Sequence, residues 1–266
     1  MINIVTHNGT FHSDEVFAIA LIKSVFGDDK YNICRTRDIE ILEKSKSDPH
    51  VFVIDLGGEF NNDMLNFDHH QQHESVNDKS AVMLVLEYLI SVDKLNVAEG
   101  DYLRKNIISF ISNWDLGLEQ STANYFHKPL PKIISAFNRF NLSGVEEDLQ
   151  FDKALEFVVQ IIENERNAFL ELQKAKQNFN SYNTVSNDVI LFNDYSPQYL
   201  GMIKDLKNIK FYIHPMDNNW TVKAVDSNKA PLPKVINRDN LVFAHKSRFI
   251  TVFDDKKAAI NFILSA

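Results

Sequence analysis

The chain has 266 residues, 44% of them hydrophobic and 24% charged, with a net charge of −8 and a single cysteine, Cys34. These are the proportions of a globular protein with room for one large core or two smaller ones. They exclude an internal disulfide framework and a multi-cysteine zinc site, supply no apolar run of the roughly 20 residues a membrane span needs, and disfavour broad nonspecific nucleic-acid binding. The charge is uneven: residues 201–266 hold 11 basic and six acidic side chains, a net of +5, which leaves −13 for residues 1–200. A basic region beside an acidic one suits a phosphate-bearing substrate, with bound cations offsetting the acid. The first strand-like run begins at residue 2, so no targeting segment is expected and a cytoplasmic setting is.

Over the first 125 or so residues, strand-like and helix-like patterns alternate. Ile2–Val5 reads as a strand, followed by a nearly all-apolar helix, Asp14–Phe26, with Ser13 as its N-cap and two acids in its first turn. Tyr31–Thr36 and His50–Ile54 are further strands, separated by a polar helix, Ile39–Lys46. Ser80 is expected to cap a helix to Val92, and another spans about Ala98–Asn113. This alternation predicts a parallel sheet with helices on both faces. Residues 126–150, with Pro129, Pro131 and Gly144, read as a loop-rich connection, and Phe151–Lys176 as one long amphipathic helix. From about Tyr182 the pattern turns strand-rich, with Val189–Phe192, Lys210–His214, Thr221–Val225, Leu241–His245 and Phe249–Phe253 as strands. Helices are expected near Tyr199–Leu206 and Lys256–Leu264, and a hairpin turn at Asp217-Asn218-Asn219. The expected architecture is α/β, with an amino-terminal parallel-sheet domain (1–125), a connecting loop and long helix (126–182) and a smaller carboxy-terminal α+β domain (183–266).

Four short stretches concentrate the chemistry: His7-Asn-Gly-Thr-Phe-His12-Ser-Asp14-Glu15, Asp55-Leu-Gly57-Gly58, Asp68-His69-His70 and Trp114-Asp115. The first two follow strand-like runs, and in a parallel sheet the crevice beyond the carboxyl ends of strands is where ligands bind. Imidazole nitrogen and carboxylate oxygen without thiolate suit Mn²⁺ or Mg²⁺ better than structural zinc. There are more donors than one ion needs, which points to two ions. Taken singly, Asp55 is equally a turn former, His7 a solvated loop residue and Asp115 the start of a turn at Gly117. Arg37 is either a phosphate contact or the partner of Asp38. Trp220 is either a base-stacking ring or a core residue. His50, His73, His127 and His214 have no place in this pattern and read as structural.

Asp68-His69-His70, behind an aspartate that closes a strand, resembles the DHH phosphoesterase superfamily. The longer strings Thr6–Glu15, Arg35-Thr-Arg37-Asp38 and Asn66–Gln71 resemble the melanocyte-proliferating-gene (Myg) family, a branch associated with 3′–5′ RNA exonuclease activity. The similarity continues through Trp220–Val225, Pro231-Leu-Pro233 and Phe243–Ile250. It implies that His7, His12, Asp14, Asp55, His69 and Asp115 are metal ligands, with Asp55 bridging two ions. It further implies that Asp68 orients an imidazole, that His70 is an acid/base or phosphate contact, and that a carboxy-terminal domain grips substrate through His245, Lys246, Ser247 and Arg248. The chain departs from that pattern after the Asp-His-His motif, where Gln72 replaces an arginine, and after His245, where Lys246, Arg248, Thr251 and Val252 replace a small, glycine-rich ending.

The resulting expectation is a divalent-metal-dependent phosphoesterase, a 3′–5′ exonuclease acting on RNA or short oligonucleotides by a two-metal mechanism. Two alternatives stand beside it. One is a small-substrate phosphohydrolase acting on nanooligonucleotides, a nucleoside phosphate, a cyclic dinucleotide or pyrophosphate. The other is a non-catalytic metal-binding module. No membrane partner is expected, and a homo-oligomer is left open.

Overall fold

The computed structural model describes residues 1–27, 30–71, 78–119, 128–235 and 239–265, so His73 and His127 lie outside the described residues. It falls into two compact units, Met1–Phe169 and Leu170–Ala266. The first is built on a sheet of β1 (Ile2–Thr6), β2 (Tyr31–Arg35), β3 (Val51–Ile54), β4 (Phe60–Asn61) and β5 (Asn66–Phe67), in the order β2-β1-β3-β5-β4. Its pairings are parallel apart from the antiparallel edge of β4 on β5. The chain passes from β1 out to β2 and returns across β1 to β3. The carboxyl ends of β1 and β3 therefore meet where the order reverses, with Thr6 paired to Ile54. Open α/β sheets take their ligands at such a reversal.

Five helices follow in this unit before residue 116: α1 (Ser13–Phe26), α2 (Ile39–Lys46), α3 (Ala81–Ser91), α4 (Val97–Leu103) and α5 (Ser109–Asp115). Every residue of α1 from Ser13 to Ile22 is buried, as in a helix enclosed on all sides. Side chains alternate across a strand, so Phe52 and Ile54 of β3 share the main core with α1 and α3. Val53, equally buried, belongs to the opposite face, and α2 packs on β3 there with Leu42 buried. Helices on both faces of a parallel sheet are what the sequence predicts.

Several boundaries differ for local reasons. The N-cap of α1 is His12, not Ser13, because the Glu15 carboxylate reaches back to the His12 N–H at 2.7 Å. Ser80 does precede α3, but its side chain makes no capping bond, and its N–H is donated to Ser112 Oγ at 3.0 Å. The single helix expected over 98–113 is broken into α4, a π turn (Arg104–Ile108) and α5, which carries on to Asp115. Residues 126–150 are not all loop: Leu130–Ser135 form α6, whose Pro131 sits in the first turn where a missing N–H is harmless. Gly144, at φ 56°, leads directly into α7 (Val145–Asn178), 34 residues and about 51 Å long at 1.5 Å per residue.

The second unit carries a mixed sheet of β6 (Asn183–Ser186), β7 (Val189–Leu191), β8 (Phe211–Met216), β9 (Asn219–Ala224), β10 (Leu241–Ala244) and β11 (Ile250–Phe253), in the order β10-β11-β9-β8-β7-β6. β7 and β8 are parallel, and the other neighbours are antiparallel. One face packs on α9 (Lys256–Leu264) through Ile213, Val222, Phe253 and Phe262, and the other on α8 (Tyr199–Ile203) through Ile190 and Tyr212. The β8–β9 hairpin turns at Asp217-Asn218, with Asp217 in the left-handed region at φ 53° and Met216 paired to Asn219. Trp220 is half-buried, packing against the core on the α9 side with the Lys256 ammonium 4.7 Å from its ring. Among the described residues no helix is long and apolar enough to cross a membrane.

Candidate metal centre

The four polar stretches converge at the reversal of the first sheet. β1 ends one residue before His7, and the turn into α1 delivers His12, Asp14 and Glu15. β3 ends one residue before Asp55, β5 ends directly before Asp68, and α5 ends on Asp115. Asp55 lies at the centre. Its Oδ1 is 3.3 Å from His69 Nε2 and 3.5 Å from His70 Nδ1, while its Oδ2 is 3.6 Å from His7 Nε2. Its backbone is left-handed at φ 52°, a strained conformation that aims the carboxylate across the strand end and that Asp tolerates better than most residues.

His69 Nε2 also lies 3.2 Å from Asp115 Oδ2 and 3.9 Å from Asp14 Oδ2, and His7 Nε2 lies 3.2 Å from Glu15 Oε1. Three groups of donors are tight enough to hold a cation: His7, His12, Glu15 and Asp55; Asp55, His69 and His70; and His12, Asp14 and Asp115. Asp55 and His12 each belong to two of these groups. All six residues expected as ligands are thus brought together. Glu15 joins them, though its place in the first helical turn is already accounted for by the helix dipole. Its pairing with Asp14 was the available signal.

These buried groups are not satisfied by one another. Both oxygens of Asp14, Glu15 Oε2, Asp55 Oδ1 and His69 Nε2 are buried without a hydrogen-bond partner, despite the short separations to neighbouring charges. An unpaired buried carboxylate is costly, and a hard divalent cation is the ligand that this oxygen- and imidazole-rich set fits. The electrostatics agree. Burial, aided by the charges of Asp55 and Asp115, pushes the Asp14 carboxyl well above its usual range. Burial would lower His7 and His69, but carboxylate neighbours (Asp55 and Glu15 for His7, Asp115 and Asp55 for His69) raise each to about 10. Burial opposes ionisation of Asp55, yet the surrounding imidazoles hold it down to about 2.

Asp68 stands behind the centre. Its Oδ2 accepts the Gly58 N–H at 2.6 Å, and its Oδ1 accepts the His70 N–H at 3.0 Å and the His70 ring Nδ1–H at 2.7 Å. Gly58 holds φ 64°, a left-handed backbone that glycine adopts without strain, while space beside it is open. Asp68 thus holds His70 at two points; the His70 side chain is 62% exposed, and its ring hydrogen bond to Asp68 raises its pKa. Arg37 is exposed and has no carboxylate partner among the described residues, because Asp38 is occupied in capping α2 through the N–H groups of Glu40 and Ile41. His245, Lys246, Ser247 and Arg248 lie in the second unit, in the turn from β10 to β11.

The His7–His12 loop is itself clamped from far along the chain. Arg35, at the end of β2, donates from Nη2 to the Gly9 carbonyl at 2.6 Å and from Nη1 to Asp148 Oδ1 at 2.8 Å. Its guanidinium lies 4.6 Å from the Phe151 ring and 5.6 Å from the Phe11 ring. Asn138 closes the loop from the other side, accepting the Phe11 N–H at 3.0 Å and donating to the Phe11 carbonyl at 2.8 Å, and Glu147 accepts the Gly9 N–H at 3.2 Å. None of these partners lies within 20 residues of the loop, so short-range sequence pattern does not expose them.

Residues 3–90, which carry most of this centre, match the family described as MYG1_exonuc, uncharacterised protein family UPF0160. A MYG1 protein of Chlamydia muridarum is 26% identical, over 97% of this chain and 95% of the relative. The likeness to MYG1 proteins runs over nearly the whole chain. A MYG1 protein of Dictyostelium discoideum is 36% identical over 31% of this chain and 24% of its own length, and the protein named MYG1 exonuclease in Mus musculus is 44% identical over 25% and 16%. Among solved structures, the pGpG-specific phosphodiesterase PggH of Vibrio cholerae aligns at 14% identity over 84% of this chain and 82% of its own, with a TM-score of 0.30. RecJ of Thermus thermophilus in complex with Mn²⁺ aligns at 13% identity over 99% and 51%, with a TM-score of 0.28.

Proposed function

We propose that this MYG1 relative is a divalent-metal-dependent phosphodiesterase, a 3′–5′ exonuclease that shortens RNA or short oligonucleotides with two Mn²⁺ or Mg²⁺ ions. The observation that carries the reading is the set of unpaired buried oxygens of Asp55, Asp14 and Glu15, grouped with four histidines at the reversal of a parallel sheet. His7, His12, Asp14, Asp55, His69 and Asp115 would hold the ions, with Glu15 beside His7 as a further donor. Bound cations would supply Lewis acidity toward the phosphoryl group and acidify water for attack.

The chain's own residues divide the remaining work. Asp55, with different imidazoles on its two oxygens, would serve both ions. His70, with Nδ1 held by Asp68, keeps Nε2 for donating a proton to the leaving oxygen of the cleaved ester. Arg37 offers an unpaired fork to a substrate phosphate. His245, Lys246, Ser247 and Arg248 are the proposed grip of the second domain. The name carried by the mammalian relatives favours exonuclease over the small-substrate alternative.

The test is incubation of metal-stripped protein with 5′-labelled single-stranded RNA, with Mn²⁺, Mg²⁺ or neither. A metal-dependent ladder shortening from the 3′ end is expected. Hydrolysis confined to dinucleotides or pyrophosphate would leave a phosphohydrolase and overturn the exonuclease.

A further inference from the structure

Four of the eleven basic residues between 201 and 266 meet at one end of the second sheet. β8 begins, β9 ends and β11 begins at that end, with Phe211 paired to Ala224 and the Ala224 N–H donated to the Phe249 carbonyl at 3.0 Å. A cavity of about 880 Å³ opens there, ringed by Lys204, Lys207, Lys210 and Lys229 and floored in part by Val225 and Phe249. Lys210 is paired with Asp188 at 3.1 Å and Lys229 with Asp226 at 3.5 Å. Lys204 and Lys207 are exposed and have no carboxylate partner among the described residues. Two unneutralised ammonium groups at one cavity mouth repel each other unless an anion joins them.

Phe249, which lines the cavity with the lysines, is in turn neighboured by other rings. Phe249 is 40% exposed and Phe243 48%, and the His245 ring lies 4.6 Å from the first and 6.3 Å from the second. Single exposed aromatics are ordinary, but Phe249 lines the same cavity as the four lysines, and an exposed ring beside cations is the arrangement that takes unpaired bases. The turn that holds these rings is fixed in place. Arg248 is left-handed at φ 55° and donates its N–H to the His245 carbonyl at 2.8 Å, while its own carbonyl accepts the N–H of the fully buried Leu232, also at 2.8 Å.

Resting on the exonuclease reading, we propose that this end of the second sheet is a docking platform for single-stranded nucleic acid, with Phe249 as a base-stacking face and Lys204 and Lys207 as contacts to successive phosphates. Stacking on an aromatic tolerates any base, and the lysines read only the backbone, so the platform is indifferent to sequence.

Binding is measured on metal-free protein in chelator, where nothing is cleaved, by fluorescence anisotropy. The probes are a labelled oligouridylate, an abasic phosphodiester of equal length, and polyglutamate of equal charge. Wild type is expected to prefer the oligouridylate over both. Phe249→Ala should weaken oligouridylate about tenfold and leave the abasic strand unaltered, while Phe249→Trp retains affinity. Lys204→Ala with Lys207→Ala should weaken both strands and lower the salt slope by about 1.4, the value for two single-strand phosphates. Equal oligouridylate affinity in Phe249→Ala and wild type would overturn the proposal, as would polyglutamate binding as tightly as RNA or an unaltered salt slope in the lysine variant. Failure of the catalytic reading would show instead as absent cleavage by the metal-loaded protein, whatever the metal-free affinities.

Discussion

Replacing Arg35 by alanine separates a stability effect from an effect on the candidate centre. The guanidinium is 3% exposed and makes the 2.6 Å bond to the Gly9 carbonyl. A charge-assisted bond of this kind contributes about 2 kcal/mol. The pair with Asp148 counts for less, because Asp148 is 51% exposed and water screens it to below about 1 kcal/mol. Contact with the Phe151 face adds about 1 kcal/mol. Neighbouring contributions do not add strictly, so a loss of about 3 kcal/mol is expected in urea unfolding of the metal-free protein. The functional part is distinct. The freed carbonyl sits between His7 and His12, and loosening groups that position ligands costs roughly 10- to 100-fold in metal affinity. Calorimetric titration with Mn²⁺ reads that term directly. Arg35→Lys, which keeps the charge but not the fork, should fall between. Wild-type Mn²⁺ affinity in an Arg35→Ala protein that has lost stability would refute the positioning role and leave Arg35 a packing residue.

Three further outcomes are expected. Asp55→Asn keeps shape and a residue type that accepts positive φ but removes the central charge; it should fold, lose RNA hydrolysis by at least about 1,000-fold (a drop of about 4 kcal/mol in transition-state stabilisation) and lose the Mn²⁺-induced rise in melting temperature, so unchanged turnover would remove it from the centre. His7 and His69, raised to about 10, carry protons in the metal-free protein at neutral pH; cation binding must displace them, so Mn²⁺ affinity should climb between about pH 6 and 9 with measurable proton release, and a flat profile would count against imidazole ligation. His214 is fully buried, stacks on Tyr195 at 4.3 Å, and is lowered by burial from 6.5 to about 4. A histidine held neutral contributes stability that is complete above about pH 6.5 and lost as pH falls toward about 4, roughly 3 kcal/mol in all. His214→Phe should flatten that limb of the pH–stability curve.

The candidate centre was legible because its donors cluster within a few residues of strand and helix ends, where periodicity and composition both mark a boundary. Asp55 after Val51–Ile54 and His7 after Ile2–Thr6 need only the rule that parallel strands end at the ligand crevice. Short elements left no such mark. β4 and β5 are two residues each, below any period, and α6 hides behind prolines that also signal a loop. The helix cap moved from Ser13 to His12 because a side chain, Glu15, takes that N–H, a choice that propensity alone does not make. The clamp on the His7–His12 loop was invisible for another reason. Asn138 lies 127 residues from Phe11 and Asp148 113 residues from Arg35, contacts that exist only after the chain has folded. In the second unit the strands were legible, but the gathering of Lys204, Lys207 and Phe249 was not, since it depends on which strand ends share an edge of the sheet.

The way the donors are distributed along the chain bears on what kinds of genetic change this protein can absorb. Four of them fall between His7 and Glu15, and the rest arrive as the isolated Asp55, the run Asp68–His70 and Asp115. A codon inserted early in α1, between Asp14 and Glu15, would rotate everything after it by about 100° and turn Glu15 away from His7. A codon inserted at Asn62–Met64, between β4 and β5, would lengthen a surface turn and move no donor, because Asp55 and Asp68 are each anchored by the strand they follow. Over evolutionary time, length should therefore drift freely between the blocks and hardly at all inside them.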